Sequence, residues 1–274
     1  FSHMSGGKWM LVDYDNKRQK YVITDGGYIN HGPVKHSGTH APSAYPDPAK
    51  PGAVISLFNM NQGFNTDGWN QIMSLPRRLT LDEHGMLNIE PAGDIESLRK
   101  DHQQIGETTL PAGEEIVFEN IKGNAMELIA EIDPAGAQAI ELDVLRSPNE
   151  EEVTRIVLHP RAGFHVRTGL RKAGGKSAFP HRTITLDTTR SSTLPGVQGR
   201  PPEIAQVRTG KEKSVQLLVF VDKSIVEVFV DGRQCSAVRV YPGREDSLGV
   251  SLRAQGGEAE LKSLDAWQMK NIYQ

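Results

Sequence analysis

Cysteine is almost absent from this chain: Cys235 is the only one in 274 residues. That excludes an intrachain disulfide framework and a cysteine-built zinc site, and it leaves the redox compartment open. An excess of charge of one sign is also missing. The 31 Lys and Arg residues face 34 Asp and Glu, a net charge of −3, so no broad electrostatic attraction draws the chain to nucleic acid or to an anionic membrane. No run approaches the roughly 18 consecutive apolar residues of a membrane helix. The opening, Phe1-Ser2-His3-Met4 and then Gly6-Gly7-Lys8-Trp9-Met10-Leu11-Val12, has no charged segment followed by an apolar one, so it does not read as a signal peptide. It reads as a start inside a strand pattern, partway through a longer protein. No cofactor is expected.

What is present describes a globular chain of many short elements. Hydrophobic residues make up 37 % and charged residues 24 %, ordinary for one large or two modest domains with real cores. The 27 glycines and 16 prolines mark frequent turns. Short apolar runs closed by turn formers predict strands at 9–12, 20–24, 53–58, 71–75 and 86–89. Between them, 32–52 is rich in Pro, Gly, Ser and His and reads as a long loop. Residues 95–104 read as a short helix that serves as a connector.

Beyond the connector the period is two, with turns about every 8–12 residues, as a sandwich needs. The clearest strands are at 126–132, 140–145, 153–158, 182–186, 214–221 and 225–230, and others follow at 236–241, 248–252 and 259–267. The fold class is therefore all-β. Its domains are a strand-rich part over 1–94, a linker over 95–107 and a β-sandwich over 108–274.

Few residues suggest chemistry on their own. Asp13 and Asp15 flank Tyr14 on one side of an extended strand, but turn residues after a strand explain them. His31, His36 and His40 share one loop, yet their spacings of five and four match no common zinc pattern, so no metal site is expected.

Three segments carry a family resemblance. Asp222-Lys223-Ser224-Ile225-Val226-Glu227-Val228-Phe229-Val230-Asp231-Gly232 resembles the C-terminal signature of glycoside hydrolase family 32, the invertases, levanases and inulinases. Trp69-Asn70-Gln71-Ile72-Met73-Ser74-Leu75-Pro76-Arg77-Arg78-Leu79 is similar to that family's Trp-x-x-x-x-Ser-Leu-Pro-Arg-x-Leu segment. Leu186-Asp187 with Ser191-Ser192 is similar to its Leu-Asp-x-x-x-Ser element. The order and spacing of the three agree with the family from about Trp9 to Trp267.

The resemblance implies the final blade or blades of a five-bladed β-propeller, over 1–94, followed by the sandwich. It implies retaining hydrolysis of β-fructosides such as sucrose or fructans, in which two carboxylates about 5 Å apart act as nucleophile and acid/base. The family's motifs for those carboxylates, Trp-x-Asn-Asp-Pro-Asn-Gly and Glu-Cys, and its Arg-Asp-Pro do not occur here. Cys235 follows Gln234, and Asp47-Pro48 and Asp133-Pro134 lack the arginine. No catalytic residue is therefore expected in this chain, which alone should be inactive. The missing blades are the expected partner, supplied by an upstream segment or another chain.

By family register, His40 replaces a site tyrosine and Asn59 a tryptophan that walls the sugar pocket. His40, Asn59 and Asn61 are thus the implied substrate-binding residues, in a pocket more polar than an invertase's. Arg77 and Arg78 are expected to pair with carboxylates where propeller meets sandwich. Trp69 could stack on a sugar face, but a core or seam anchor is the commoner use of an aromatic side chain. Glu227, which alternation puts on one face with Phe229, reads as an interface residue. An extracellular or periplasmic location fits the family. The alternative function is a non-catalytic fragment that binds carbohydrate or another chain.

Overall fold

The structure is a computed structural model and describes residues 8–29, 37–161, 181–208 and 213–272. It is all-β apart from a single 3-10 turn, Glu96–Leu98. The first seven strands are β1 (Lys8–Asp15), β2 (Lys20–Tyr28), β3 (Thr39–Pro46), β4 (Val54–Met60), β5 (Ile72–Met73), β6 (Arg77–Leu81) and β7 (Leu87–Pro91). Next come β8 (Arg99–Ile105), β9 (Thr108–Leu110), β10 (Glu115–Lys122), β11 (Ala125–Asp133), β12 (Ala139–Arg146), β13 (Thr154–His159) and β14 (His181–Asp187). The last six are β15 (Glu203–Arg208), β16 (Val215–Asp222), β17 (Ile225–Val230), β18 (Gln234–Arg239), β19 (Gly249–Gln255) and β20 (Ala259–Met269).

Two antiparallel sheets form the sandwich, in the orders β10-β19-β12-β13-β14-β15 and β18-β17-β16-β11-β20-β8. Alternation selects their inner faces. Met126, Leu128, Ala130 and Ile132 of β11 point inward and meet Ile140, Leu142, Ile156, Leu158 and Leu252 of the other sheet in one continuous core. β17 breaks the alternation because it is buried throughout. Val226, Val228 and Val230 join the sandwich core, while Phe229 faces the other way. A strand covered on both faces reads as a continuous apolar run, and the cover over the outer face is a third sheet.

That third sheet, β3-β4-β6-β7 with β5 beside β4, is an up-and-down meander of the kind that builds propeller blades. Leu79 of β6 and Ile89 of β7 pack against Phe220, Phe229 and Cys235 of the sandwich. Met60 of β4 packs with Ile225 and Ala237. The Ile89 N–H donates to Gly232 O at 2.9 Å. β1 and β2 form a separate hairpin that pairs with no other described strand.

Two expectations are corrected. The stretch read as loop over 32–52 contains β3, and the stretch read as a helix over 95–104 is one 3-10 turn followed by β8. Both strands lie at sheet edges. There Pro42 and Pro46 can be accommodated without breaking the ladder, and the polar run Arg99-Lys100-Asp101-His102-Gln103-Gln104 needs no apolar alternation. Position beside β4 and beside β20 decides these segments, not their own propensity.

Candidate functional site

The implied sugar-contacting residues lie at one end of the blade. His40 and Asn59 are cross-strand partners on β3 and β4. The register shifts between His40 and Ser43, with Ala41 in the left-handed region at φ 44°. Such a bulge re-aims the adjoining side chain. His40 Nε2 lies 3.4 Å from Asn59 Nδ2, and Asn59 Nδ2 also donates to Gln71 Oε1. His40 Nδ1 is buried with no hydrogen-bond partner among the described residues. An imidazole and two amides thus form a short polar row across the ends of three neighbouring chain segments. Asn61 follows β4, and its backbone N–H donates to Gly38 O at 2.9 Å, holding the strand end against the start of β3. His31 and His36 lie outside the described residues. Among the described residues no group of three His, Cys, Asp or Glu could hold a metal ion.

The row supplies donors and acceptors for a neutral, hydroxyl-rich ligand but no carboxylate. A glycosidase of the two-carboxylate type needs an acid and a nucleophile in addition.

Below the row the blade is clamped to the sandwich by charge. Arg77 Nη2 donates to Glu227 Oε2 at 2.8 Å, and the Leu75 N–H donates to Glu227 Oε1 at 2.5 Å. Both side chains are inaccessible to solvent, and the Arg77 guanidinium lies 4.7 Å from the Phe58 ring centre. Arg78 pairs instead within the blade, at 2.5 Å from Asp47. Its hydrogen bond and two backbone N–H groups hold the Asp47 carboxyl below the ordinary range. Arg208 of β15 reaches Asp82 at 2.9 Å.

A second seam runs directly under the row. Arg239 is 1 % exposed at the end of β18. Its guanidinium lies 4.8 Å from the Trp69 ring and 4.9 Å from the Tyr241 ring, and its Nη1 donates to Asn70 O at 2.6 Å. Burial pulls this guanidinium below its ordinary pKa. Tyr241 Oη accepts the Gly63 N–H at 2.9 Å. A Cβ on Gly63 would sit 2.0 Å from Ser37 Oγ, so a larger residue there requires the buried serine hydroxyl to move.

Sequence reasoning placed Glu227 and Arg77 at an interface and Trp69 in a structural seat, and the contacts agree. It passed over Gln71 and Arg239. A signal for Arg239 existed. Ile225 pairs with Arg239, Glu227 with Ala237 and Phe229 with Cys235, so the arginine stands in the row facing the blade.

The motif residues themselves mostly build turns and seams. Ser74 Oγ accepts the Phe58 N–H at 3.1 Å, tying β5 to β4. Lys223, Asp231 and Gly232 take positive φ at the two ends of β17. Asp187 caps its own turn through the Thr189 N–H.

Comparison with known proteins agrees with this architecture. The family model described as "Glycosyl hydrolases family 32 C terminal" matches residues 94–268. The insoluble β-fructofuranosidase isoenzyme 2 of Daucus carota is 27 % identical over 229 residues, covering 74 % of this chain and 38 % of that protein. The sucrose-6-phosphate hydrolase of Escherichia coli is 28 % identical over 206 residues, covering 74 % and 36 %. The crystal structure of fructan 1-exohydrolase IIa from Cichorium intybus superposes with a TM-score of 0.78 at 17 % identity, covering 96 % of this chain and 54 % of that one. The chain therefore spans little more than a third of these two curated relatives and about half of the solved one. A closing propeller blade, a two-sheet sandwich on its flank and a family match over most of the chain make this protein a member of glycoside hydrolase family 32, represented here by its C-terminal portion.

Proposed function

We propose that the full protein is a glycosidase that cleaves β-fructosides such as sucrose or fructans by the retaining, two-carboxylate route. Its acid and nucleophile are supplied upstream of these residues, and this chain alone does not turn substrate over. The observation that carries the reading is the family match over 94–268. The polar row of His40, Asn59 and Gln71 supports a sugar-contacting role for the blade end, with Asn61 beside it. Residues 1–94 are then the last part of a five-bladed propeller, and the 95–107 passage leads into the sandwich of 108–274 while already lending it the edge strand β8.

The missing blades would cover the β1–β2 hairpin, whose Met10, Val12, Tyr14, Tyr21, Val22 and Ile23 are exposed. The test is fructose release from sucrose, levan and inulin by the full-length protein. Turnover of any of these is expected, and a well-folded protein that cleaves none of them overturns the reading. Calorimetric titration of the 274-residue chain with fructo-oligosaccharides addresses the alternative: binding without hydrolysis is what a carbohydrate-binding fragment would show.

A further inference from the structure

The blade and the sandwich meet where the polar row rests, and the contact is made by an arginine that no motif of the resemblance contains. We infer that Arg239, a residue of the sandwich, is a positioning residue for the sugar-contacting row of the blade. The inference rests on the proposed function and extends it to the domain opposite the substrate.

The geometry runs as a chain of short contacts. Arg239 is held on its own strand by backbone pairing with Ile225, and its N–H also reaches across to Ser37 O at 3.2 Å. Its Nη1 fixes the carbonyl of Asn70, and its flat face supports the Trp69 ring. Trp69 and Asn70 immediately precede Gln71, whose side-chain oxygen takes the Asn59 amide, which in turn lies beside His40. Tyr241, whose ring also lies against the guanidinium, holds the 61–66 loop through Gly63 and packs on Phe64 at 5.6 Å. Thr66 closes that loop by donating to Trp69 O.

Trp69 is 44 % exposed despite its contact with Arg239. Arg239 gives the Trp69 ring its cation–π contact and the Asn70 carbonyl its hydrogen bond, while Thr66 holds the Trp69 carbonyl. Gln71 is exposed as well. Its backbone is held after it by the pairing of Ile72 and Met73 with β4, and before it by the Trp69-Asn70 segment that Arg239 grips. A buried cation that both stacks on an aromatic ring and binds a carbonyl sets position and orientation together, which a point charge on a flexible stem does less well.

The test uses the full-length protein and compares Arg239→Ala with Arg208→Ala, which cuts a different sandwich-to-blade contact away from the row. Loss of positioning predicts a KM for the fructoside raised about tenfold in Arg239→Ala, with kcat changed far less. Arg239→Lys should fall between it and the parent. Arg208→Ala should lower thermal stability and leave KM in place. Equal KM in both alanine variants overturns the inference. If Arg239→Ala does not fold, Arg239→Lys is read by the same criterion.

A parent protein that cleaves no fructoside would defeat the functional reading but not this one, which has a second readout in the 274-residue chain. With Trp9→Phe and Trp267→Phe in the background, Trp69 is the only indole. Acrylamide quenching of Trp69 should rise clearly on Arg239→Lys and not on Arg208→Ala. Unchanged quenching overturns the placement of Arg239 as the support of this segment.

Discussion

The sandwich and the region before residue 92 solve the same problem in opposite ways. The sandwich buries its own apolar surface, in a single core running from Leu110 to Ala266. Among the described residues the earlier region has no comparable core. Leu79 and Ile89 are buried only together with Phe220, Phe229 and Cys235 of the sandwich. Of the large apolar side chains left exposed among the described residues, all but Ile272 lie before residue 92. An antiparallel sheet folds stably when one face is covered, and here the second domain provides that face. The blade is held from outside, through packing and through the Arg77–Glu227 pair.

The largest effect that would break this comparison comes from that pair. Glu227→Ala leaves Arg77 buried and unpaired, which should cost about 3–5 kcal/mol, measured by denaturant unfolding of the chain. Arg77→Met combined with Glu227→Leu should recover much of the loss, because the apolar replacement removes both desolvated charges. A single variant as stable as the parent would mean the clamp contributes nothing.

Two leucines sharpen the contrast between self-made and borrowed burial. Leu128→Ala empties a site that is fully buried inside the sandwich and should cost roughly 2–5 kcal/mol. Leu81→Ala, at an exposed position on the blade, should stay within about 0.5 kcal/mol. Comparable losses at both positions would show that the blade face carrying Leu81 is covered rather than exposed.

Acid should affect the sandwich through Glu115. Burial pushes its carboxyl up, but hydrogen bonds from Arg146 and Ser251 and the charge of Arg146 outweigh that and hold it at about 2, from an ordinary 4.5. A depressed carboxylate stabilises the fold fully above its unfolded value and loses that contribution as pH falls. Sandwich stability should therefore decline between pH 4.5 and about 2, and Glu115→Gln should flatten that part of the profile. An unaltered slope in the variant removes Glu115 from the account.

The smallest change in stability is expected on the hairpin. Val12→Ser, Tyr14→Ser and Ile23→Ser, all at exposed positions, should each shift stability by no more than about 0.5 kcal/mol. Self-association of the isolated chain should drop, because the apolar face is reduced. Sedimentation velocity reads this directly, and an unchanged distribution would mean the face is not adhesive.

Much of the sandwich was legible in advance because alternation and burial coincide there. Met126, Leu128, Ala130 and Ile132 mark β11 by their spacing alone, and Glu227 sharing a strand face with Phe229 already points to an interface on that side of β17. β3 and β8 were not legible. Their prolines and polar residues are tolerated only because each strand sits at a sheet edge, and edge position is decided by the neighbours. At the candidate site, His40 and Asn59 came from family register, and the structure pairs them across two strands. Arg239 was missed because its contact with Asn70 joins segments 169 positions apart, and Gln71 because its contact with Asn59 forms only once β4 and β5 pair, neither of which a local pattern records.

The sequence by itself determined that this chain is all-β, that its second part is a sandwich and that three ordered motifs tie it to a sugar-cleaving family. These properties follow from local periodicity, turn chemistry and residue identity, which act over a few positions at a time. Only the tertiary structure decided that Glu227 pairs with Arg77, that Arg239 lies beneath Trp69, and that the blade takes its core from its neighbour. Each of these depends on how two sheets pack face to face, a long-range arrangement that juxtaposes residues far apart in sequence.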